Sequence, residues 1–537
     1  MFKKWLACLL VGLLLLNTPV AIAAPVTDSG ICGDGLTWTL DNEGTLTISG
    51  TGEMYDYNWG EGLPWGQDDL TKIINVVIEN GVTNIGAGAF YDCINLKSVV
   101  IPDSVMYIGE AAFAFCTGLT EVTIPSNVEV VSSAAFMDCR QLKDLTIQEG
   151  ICCIGNDAFR NCHSLTTVKI PSSVAELFVS TFSYCSNLTA IDVSEDNRVY
   201  CSEDGVLYDK HKISLMQYPT KKIGAYTIPD GVRYIEYESF LDCDGLTGIT
   251  IPDSVIQIAP SAFAYCDGLT KVHIPGGVTD VGDLAFDRCS NLTDITIADE
   301  ATGVDASAFA DCAYYLEKSN WKDGVLYISN HLIKADTSIS NTYSVRPGTK
   351  TIADSAFYRC KNLRGVIIPD GIVGIGSAAF RSCEGLTNVT IPDSVTYIGR
   401  SAFADCKKMT EISIPLSVAD IGEYALGYYD DSISGFAKTQ GFTIIGYSGT
   451  VAEKYADKNG FKFTSLGIYT ALGDLDGQVG ITAADALLVL QITTQKVTPV
   501  AAQANAADVD DQAGVTANDA LLILQYATKK ITAFPAA

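Results

Sequence analysis

Two acidic loops within residues 470–537 carry residue types that could bind a hard cation. Calcium takes about six to eight oxygen ligands, and a loop of about twelve residues supplies them from positions 1, 3, 5 and 12 and from the carbonyl at position 7. A chance acidic helix cap would explain one such loop, but the second repeats the first at an offset of 34 residues. The spacing favours two calcium loops, each followed by an Ala/Leu-rich helix: Asp474-x-Asp476-x-Gln478-x-Gly480-Ile481-Thr482-x-x-Asp485 and Asp508-x-Asp510-x-Gln512-x-Gly514-Val515-Thr516-x-x-Asp519.

The chain has 17 cysteines, which in a secreted protein would normally suggest disulfides. Most share one position, three residues after a phenylalanine, and equivalent residues in stacked coils lie about 4.8 Å apart with parallel Cα–Cβ bonds. A disulfide needs Cβ atoms about 3.8 Å apart and inclined toward each other. We therefore expect a column of buried free thiols packing as small apolar side chains, rather than a metal or redox ladder: Cys93, Cys116, Cys139, Cys162, Cys185, Cys243, Cys266, Cys289, Cys312, Cys360, Cys383 and Cys406.

No catalytic constellation stands out in the sequence. The 4 histidines form no GxSxG or HExxH pattern and no pair at metal-ligand spacing. Carboxylates are plentiful, and a glycosidase needs only two about 5–10 Å apart, so sequence alone leaves that chemistry open. A recurring threonine before the Ile-Pro pair, as at Thr123, Thr250 and Thr390, could bind a flat glycan or simply fill an exposed strand with a β-branched residue.

These cysteines belong to a repeat of 23 residues, seen clearly from Ile101 to Thr123 (IPDSVMYIGEAAFAFCTGLTEVT). A fixed period of this length is the signature of a solenoid. Val122 and Ile124 alternate with polar residues, which predicts a half-buried strand, and Val128 and Val131 predict a second short extended segment. The Ala-Ala-Phe-x-x-Cys segment is too short for a full helix, so we expect a helical turn. The pattern predicts a right-handed, mainly β leucine-rich-repeat solenoid of about fourteen coils with short helical turns.

Segments without the repeat lie at both ends and at two internal places. Leu36–Gly52 predicts a hairpin that caps the first coil, and Val451–Asn459 predicts a helix in a C-terminal cap. The intervals from Phe182 to Phe240 and from Phe309 to Phe357 exceed two periods, and each contains the letters DGVLY. We interpret both as β-hairpin insertions, with a recognition role and a packing role left open.

Residues 30–466 resemble the bacterial BspA-like leucine-rich repeat family. The IPDSVxxIGxxAFxxCxxLTxV units, the leading WTLDNEGTLTISGTGEM segment and the ending GFTIIGYSGTVAEKYADKNGFKF carry the resemblance. It implies a secreted or surface solenoid with a role in adhesion or binding, and it does not imply an enzyme.

The paired acidic loops resemble a type I dockerin, a small all-α calcium-binding module that docks onto a cohesin domain of a scaffold protein. Glutamine at loop position 5 and the absence of glycine at position 6 depart from that family and lower the expected calcium affinity. The resemblance implies two Ca²⁺ sites formed by Asp474, Asp476, Gln478, Gly480 and Asp485 and by Asp508, Asp510, Gln512, Gly514 and Asp519. It implies cohesin-facing positions at Ala483, Ala484, Leu490, Gln491, Ala517, Asn518, Leu524 and Gln525.

Charge and the first residues indicate where the protein acts. The net charge of −28 argues against nucleic acid as a partner, since phosphates require basic patches. Lys3 and Lys4, an apolar run and Ala21-Ile22-Ala23 predict a secretory signal peptide. The predicted organisation is a signal peptide at 1–23, an N-terminal β cap at 24–72, the solenoid at 73–430 with insertions near 194–224 and 313–344, a C-terminal cap at 431–469 and the dockerin at 470–537.

Together these features predict a secreted, non-catalytic binding or adhesion protein, tethered to a cell-surface or cellulosome-like complex through its dockerin. A protein or glycan ligand is expected on the solenoid. Two alternatives stay open: a glycoside-hydrolase-type component of such a complex, and a structural spacer without a ligand.

Overall fold

The computed structural model describes residues 24–66, 70–178, 180–431, 435–468, 483–493, 509 and 515–528. The chain forms two compact units, Met1–Lys222 and Ile223–Ala537. Both consist mainly of short parallel strands that stack coil upon coil, so the predicted mainly β solenoid is confirmed.

The first unit contains a three-stranded antiparallel cap, two parallel ladders and a three-stranded meander. Strand β3 leaves the cap and pairs parallel with β5, so the cap itself starts the first ladder. A short 3₁₀ helix spans Asn58–Gly60. The strands are β1 Val26–Gly33, β2 Leu36–Asp41, β3 Thr45–Gly50, β4 Gly52–Glu53, β5 Asn75–Ile78, β6 Val82–Ile85, β7 Ser98–Val100, β8 Tyr107–Ile108, β9 Glu121–Ile124, β10 Val130–Val131, β11 Asp144–Ile147, β12 Cys153–Ile154, β13 Thr167–Ile170, β14 Glu176–Leu177, β15 Ala190–Val193, β16 Tyr200–Glu203, β17 Val206–Asp209 and β18 Ser214–Gln217.

The second unit repeats this plan around a second meander. Its strands are β19 Gly224–Thr227, β20 Tyr234–Ile235, β21 Leu246–Thr250, β22 Gln257–Ile258, β23 Lys271–Ile274, β24 Asp280–Val281, β25 Asp294–Ile297, β26 Gly303–Val304, β27 Trp321–Lys322, β28 Val325–Ile328, β29 His331–Ala335, β30 Asn341–Ser344, β31 Thr351–Ile352, β32 Leu363–Ile367, β33 Gly374–Ile375, β34 Asn388–Thr390, β35 Tyr397–Ile398, β36 Glu411–Ser413, β37 Asp420–Ile421, β38 Tyr428–Asp431, β39 Gly435–Lys438, β40 Thr443–Ser448 and β41 Lys462–Ile468. The helices are α1 Ala313–Leu316, a 3₁₀ helix Lys318–Asn320, α2 Val451–Asn459, α3 Ala483–Thr493 and α4 Ala517–Ala527.

Each coil contributes one strand to each ladder, in register with the equivalent residues of its neighbour. In β9 and β11, Glu121 lies opposite Asp144 and Ile124 opposite Ile147, so the sequence period is also the structural period. The described residues contain about 17 turns, more than the fourteen predicted. The difference arises because the caps add rungs: β3 at one end, β40 and β41 at the other.

The phenylalanines of successive coils form stacked columns in the core. Neighbouring ring centroids lie 4.5–5.7 Å apart, and the rings are within 17° of parallel. In the N-terminal cap, Trp65 stacks on Phe90 at 5.3 Å and so closes the first column with an indole ring. Trp65 lies within the predicted N-terminal cap at 24–72, and the structure places it at the end of the column.

The cysteine column is a buried set of free thiols, as predicted, and it also makes hydrogen bonds. All cysteines in the described residues are free. Cys116 Sγ donates to the carbonyl of Phe90, 3.1 Å away, and Cys139 Sγ donates to that of Phe113 at 3.2 Å. The same bond recurs at Cys162, Cys185, Cys266, Cys289, Cys383 and Cys406. Because S–H is a weak donor and the carbonyl is buried, cysteine satisfies a polar atom while filling a small apolar site.

The predicted helical turn before each cysteine is wrong. The segment is a run of tight turns in which Ala111 and Phe115 adopt left-handed φ values of 52° and 62°. Its amides bond across coils: the N–H groups of Ala111, Phe113 and Phe115 donate to carbonyls of the next coil at 2.7–3.0 Å. These cross-coil bonds offset the cost of the left-handed conformation.

Gly109 is required by close packing between coils. A Cβ at this position would lie 2.5 Å from the backbone nitrogen of Ala87, and its φ is not positive in the structure. The glycine is therefore selected by the contact across the stack rather than by its backbone freedom.

The ladder thiols should be unreactive in the native protein, whereas Cys152, which is exposed, should react. Burial raises the pKa of Cys185 and of Cys360 to about 12, so almost no thiolate exists there at pH 8. Alkylation with iodoacetamide, followed by peptide mass spectrometry, should label the ladder at least about 100-fold more slowly than Cys152. Cys152→Ser should remove the fast labelling, and fast labelling of Cys185 in the native protein would contradict this expectation.

Candidate functional site

The two C-terminal helices α3 and α4 pack against each other and form a small apolar core. Ala486 and Val489 of α3 and Ala520 and Ile523 of α4 are buried in it together with Val509. These positions recur at the same 34-residue offset as the acidic loops. The predicted two-helix arrangement of the tail is thus present in the described residues, although this alone does not establish a dockerin.

A buried aspartate lies in the first turn of each helix. Asp485 and Asp519 are fully buried. Asp519 Oδ1 accepts the N–H of Val509 at 2.8 Å, and Oδ2 accepts the N–H and hydroxyl of Thr516 at 2.8 and 3.0 Å. A buried carboxylate needs such donors or a cation, and the first turn of a helix favours negative charge.

The remaining predicted calcium ligands lie outside the described residues: Asp474, Asp476, Gln478, Gly480, Asp508, Asp510, Gln512 and Gly514. The structure therefore brings together only the last position of each loop with its helix. Among the described residues, no group of three or more histidine, cysteine, aspartate or glutamate side chains could hold a metal ion.

The two helices also present an exposed apolar face. Leu487 and Leu490 are 56% and 42% exposed, and Leu521 and Leu524 are 51% and 40% exposed. Together with Ala486, Ala517 and Ala520, these leucines line an open groove of about 380 Å³. We call this surface the leucine face.

Several predicted partner positions belong to the leucine face. Leu490, Ala517 and Leu524 line its groove, whereas Gln491 and Gln525 are half-buried and Asn518 is exposed. Ala483 and Ala484 lie in the first turn of α3. Sequence reasoning missed Leu487 and Leu521, although the three-residue spacing to Leu490 and Leu524 places each pair on one side of its helix.

The two DGVLY insertions are three-stranded antiparallel meanders in which the DGVLY strand is the middle one. In the first, β17 lies between β16 and β18. In the second, β28 lies between β27 and β29, and β29 then pairs parallel with β31. The predicted hairpins contain two of these three strands. Strands β16 and β27 were missed because they lack apolar alternation.

His331 holds the second insertion to the coils on either side. Its ring is fully buried, with Nε2 2.9 Å from the carbonyl of Ala298 and Nδ1 2.8 Å from Thr351 Oγ1. Because Ala298 can only accept, Nε2 carries the proton and Nδ1 accepts from the hydroxyl. Burial lowers the pKa of His331, so the neutral ring is the form that fits.

Comparison with known proteins identifies the repeat. Residues 68–198, 211–340 and 337–449 match the family described as a BspA type leucine rich repeat region, which is more than half of the chain. The chain belongs to the BspA-type leucine-rich-repeat family. The predicted repeat family is therefore confirmed, whereas no matched residue falls within 470–537, so the dockerin resemblance gains no support from this match.

Solved structures of similar proteins include a leucine-rich repeat protein from Eubacterium ventriosum, with 25% identity over 70% of this chain and 94% of that chain and a TM-score of 0.47. A leucine rich cell surface protein from Faecalibacterium prausnitzii has 24% identity over 76% and 97% of the two chains, with a TM-score of 0.37. A leucine-rich repeat protein from Bacteroides ovatus has 21% identity over 81% and 99%, with a TM-score of 0.36. No curated protein matches the chain. Within the described part of this BspA-type protein, no helix is long and apolar enough to cross a membrane.

Acidification should destabilise the second unit through His331. Because the pKa of His331 is lowered in the folded protein, the unfolded chain binds a proton more readily than the folded chain below about pH 6.5, the ordinary pKa of histidine. The stability that this difference contributes is present above that pH and is lost as the pH falls. Burial and Lys350 lower the pKa of the ring, and together they outweigh the hydrogen bond to Ala298 and the nearby Asp299, which raise it. His331→Gln should cost about 1–3 kcal/mol at pH 7.5 and flatten the pH dependence.

Thermal unfolding midpoints of both proteins, measured between pH 7.5 and pH 5, test this expectation. His211→Gln, at an exposed imidazole, is the matched control and should leave the wild-type slope. An equal slope in the wild type and His331→Gln would show that the ring does not resist protonation.

Proposed function

We propose that this BspA-type protein is a secreted, non-catalytic binding protein whose tail docks it onto a cohesin domain of a scaffold in a calcium-dependent manner. Its repeats would display the surface that binds a protein or glycan ligand. The family match supports the binding role, because it is a match to a repeat region rather than to a catalytic family. The charged, then apolar, then small-residue start of the sequence supports secretion.

The leucine face carries the docking proposal. Leucines on a two-helix module of this size would ordinarily turn inward, yet four of them are 40–56% exposed around one groove. Contiguous exposed apolar surface marks a partner site. Since Leu487 and Leu490 recur as Leu521 and Leu524 at the 34-residue offset, either half of the face could meet the same partner surface.

Calcium fits what the described tail shows of the loops. Asp519 is buried, yet its two oxygens accept from loop positions 2 and 9, so the loop closes around this carboxylate. One ion would be held by Asp485 and a second by Asp519, each with the other predicted ligands of its loop, and each ion would balance the negative charge of those ligands. Its role in this chain would be structural, since binding energy would become folding energy of the tail.

Charged substitutions in the leucine face should weaken docking. Leu490→Glu alone should weaken cohesin binding only slightly, because the second half remains, whereas Leu490→Glu/Leu524→Glu should weaken it at least about 10-fold. Surface plasmon resonance against a cohesin panel with calcium present measures both. Leu466→Glu, at a leucine that is 53% exposed in the C-terminal cap, is the matched control.

Two outcomes would contradict the docking proposal. The wild-type chain could bind no cohesin of the panel, or the double variant could bind as tightly as the wild type. A Leu466→Glu variant that binds like the wild type shows that an added surface charge alone does not cause the loss.

Calcium removal should loosen the tail. Titration of chelator-treated full-length protein with Ca²⁺ in a calorimeter should show two sites, and Asp519→Asn should remove one. Chelation should also expose residues 470–537 to limited proteolysis, because the metal contributes folding energy. Asp457→Asn, at an exposed carboxylate of α2, should leave both sites. Absence of binding heat together with unchanged proteolysis would exclude the calcium loops.

A further inference from the structure

The second insertion forms a recess that the repeat itself does not contain. A pocket of about 420 Å³ lies between the meander β27–β29, strand β30 and the segment before the meander. Three tyrosines, two cationic side chains and an asparagine define it: Tyr314, Tyr327, Tyr343, Lys322, Arg346 and Asn320. We call it the tyrosine pocket.

Hydrogen bonds hold the pocket walls in place. The Tyr314 hydroxyl donates to the carbonyl of Tyr327 at 3.1 Å, and Asn320 Nδ2 donates to the carbonyl of Tyr314 at 2.9 Å. The backbone N–H of Arg346 donates to the hydroxyl of Tyr327 at 3.2 Å. The side chains are therefore positioned before any ligand arrives, which lowers the entropic cost of binding.

One hydroxyl of the pocket is left with a proton to donate. The hydroxyls of Tyr327 and Tyr343 lie 3.0 Å apart. Since Tyr327 already accepts from the amide of Arg346, its own proton can be donated to the oxygen of Tyr343. In that arrangement Tyr343, which is only half-buried, offers its O–H to a bound molecule.

The charge of the pocket is opposite to that of the protein. The whole chain carries −28, yet the lining contains Lys322 and Arg346 against one carboxylate, Asp323. The Arg346 guanidinium lies 4.5 Å from the centre of the Tyr327 ring, and its Nη2 donates to the carbonyl of Ser329. A guanidinium has five N–H donors in a planar fork that matches a carboxylate, so most of its donors remain for a ligand.

The first insertion provides an internal comparison. Its DGVLY tyrosine, Tyr208, is fully buried, and the nearby Lys212 lies 5.8 Å from the ring centre. Lys212 Nζ pairs with Glu203 at 2.7 Å, so that cation is already neutralised. Its counterpart Tyr327 is also buried, at 7% exposed, so the two meanders differ in their cations. Lys212 of the first is paired, whereas Lys322 and Arg346 of the second line a recess.

We propose that the tyrosine pocket binds an acidic saccharide, a sugar that carries a carboxylate, such as a uronic acid. The half-buried rings of Tyr314 and Tyr343 supply apolar surface for the sugar ring. Tyr343 and Asn320 supply hydrogen bonds, and Arg346 with Lys322 bind the carboxylate. A volume of about 420 Å³ suits one or two sugar rings, whereas an extended peptide docks along a sheet edge or groove. This inference rests on the proposed binding role of the repeats and names the ligand class.

Calorimetric titration of the full-length protein with trigalacturonic acid, and with the neutral trisaccharide galactotriose, tests the proposal. The acidic trisaccharide should bind at least about 10-fold more tightly than the neutral one, and added salt should weaken binding. Arg346→Met should reduce affinity about 10-fold or more. Tyr343→Phe, which removes one hydroxyl and keeps the ring, should reduce it several-fold and guards against a folding defect in the arginine variant.

Two control variants keep the assignment specific. Lys212→Met, in the first meander, and Lys454→Met, in another recess that also contains tyrosines and lysines, should bind like the wild type. The proposal fails if the acidic trisaccharide does not bind at millimolar concentration, if galactotriose binds equally well, or if Lys454→Met causes the loss instead of Arg346→Met. It also fails if an acidic peptide binds at Arg346 and the trisaccharide does not. Cohesin binding through the leucine face, measured on the same protein, separates failure of this pocket from failure of the docking proposal.

Discussion

The in-register parallel ladder between coils is the constraint on which the rest of the structure depends. Because each residue lies opposite its equivalent 23 positions away, as Glu121 lies opposite Asp144, a core position must tolerate its own copy above and below at about 4.8 Å. A planar phenylalanine can do this by stacking, and cysteine can do it by donating its S–H to the coil before it. A charged residue at such a position would face like charges in a dry core, where their repulsion is strong.

The two insertions interrupt the phenylalanine column, so the core must be covered again where each insertion ends. The phenylalanine column stops at Phe309 and resumes at Phe357, and the first ring of the new column is covered by Tyr343, tilted by 56° with its centroid 5.8 Å away. Tyr226 covers Phe240 in the same way. Tyrosine suits this place because its ring closes the column while its hydroxyl reaches outward. The hydroxyl of Tyr343 reaches the tyrosine pocket. The residue that covers the first ring of the new column therefore also contributes a polar group to the recess beside it.

How much the sequence predicts depends on whether a residue obeys the period. The strands around Val122 and Ile124, the buried thiol column and helix α2 follow from periodicity and local composition, and the structure confirms them. The left-handed residues such as Phe115 could not be predicted, because their conformation is maintained by hydrogen bonds to the next coil rather than by local preference. The tyrosine pocket was equally hidden, because Tyr314, Lys322, Tyr343 and Arg346 come from separate segments that no period relates.

Four leucines in the two C-terminal helices are exposed, unlike the core leucines of the coils. In the coils, leucines such as Leu119 and Leu142 are fully buried, because each completes a core that one coil alone could not close. In helices α3 and α4 the small residues Ala486 and Ala520 occupy the interface between the helices, and the four leucines of the leucine face are turned outward. Alanines let the two helices approach closely, so the larger side chains beside them spread over the surface as one apolar patch. Such a patch favours association with an apolar partner and would otherwise promote aggregation. The outward placement of these leucines is therefore the feature on which the proposed docking depends.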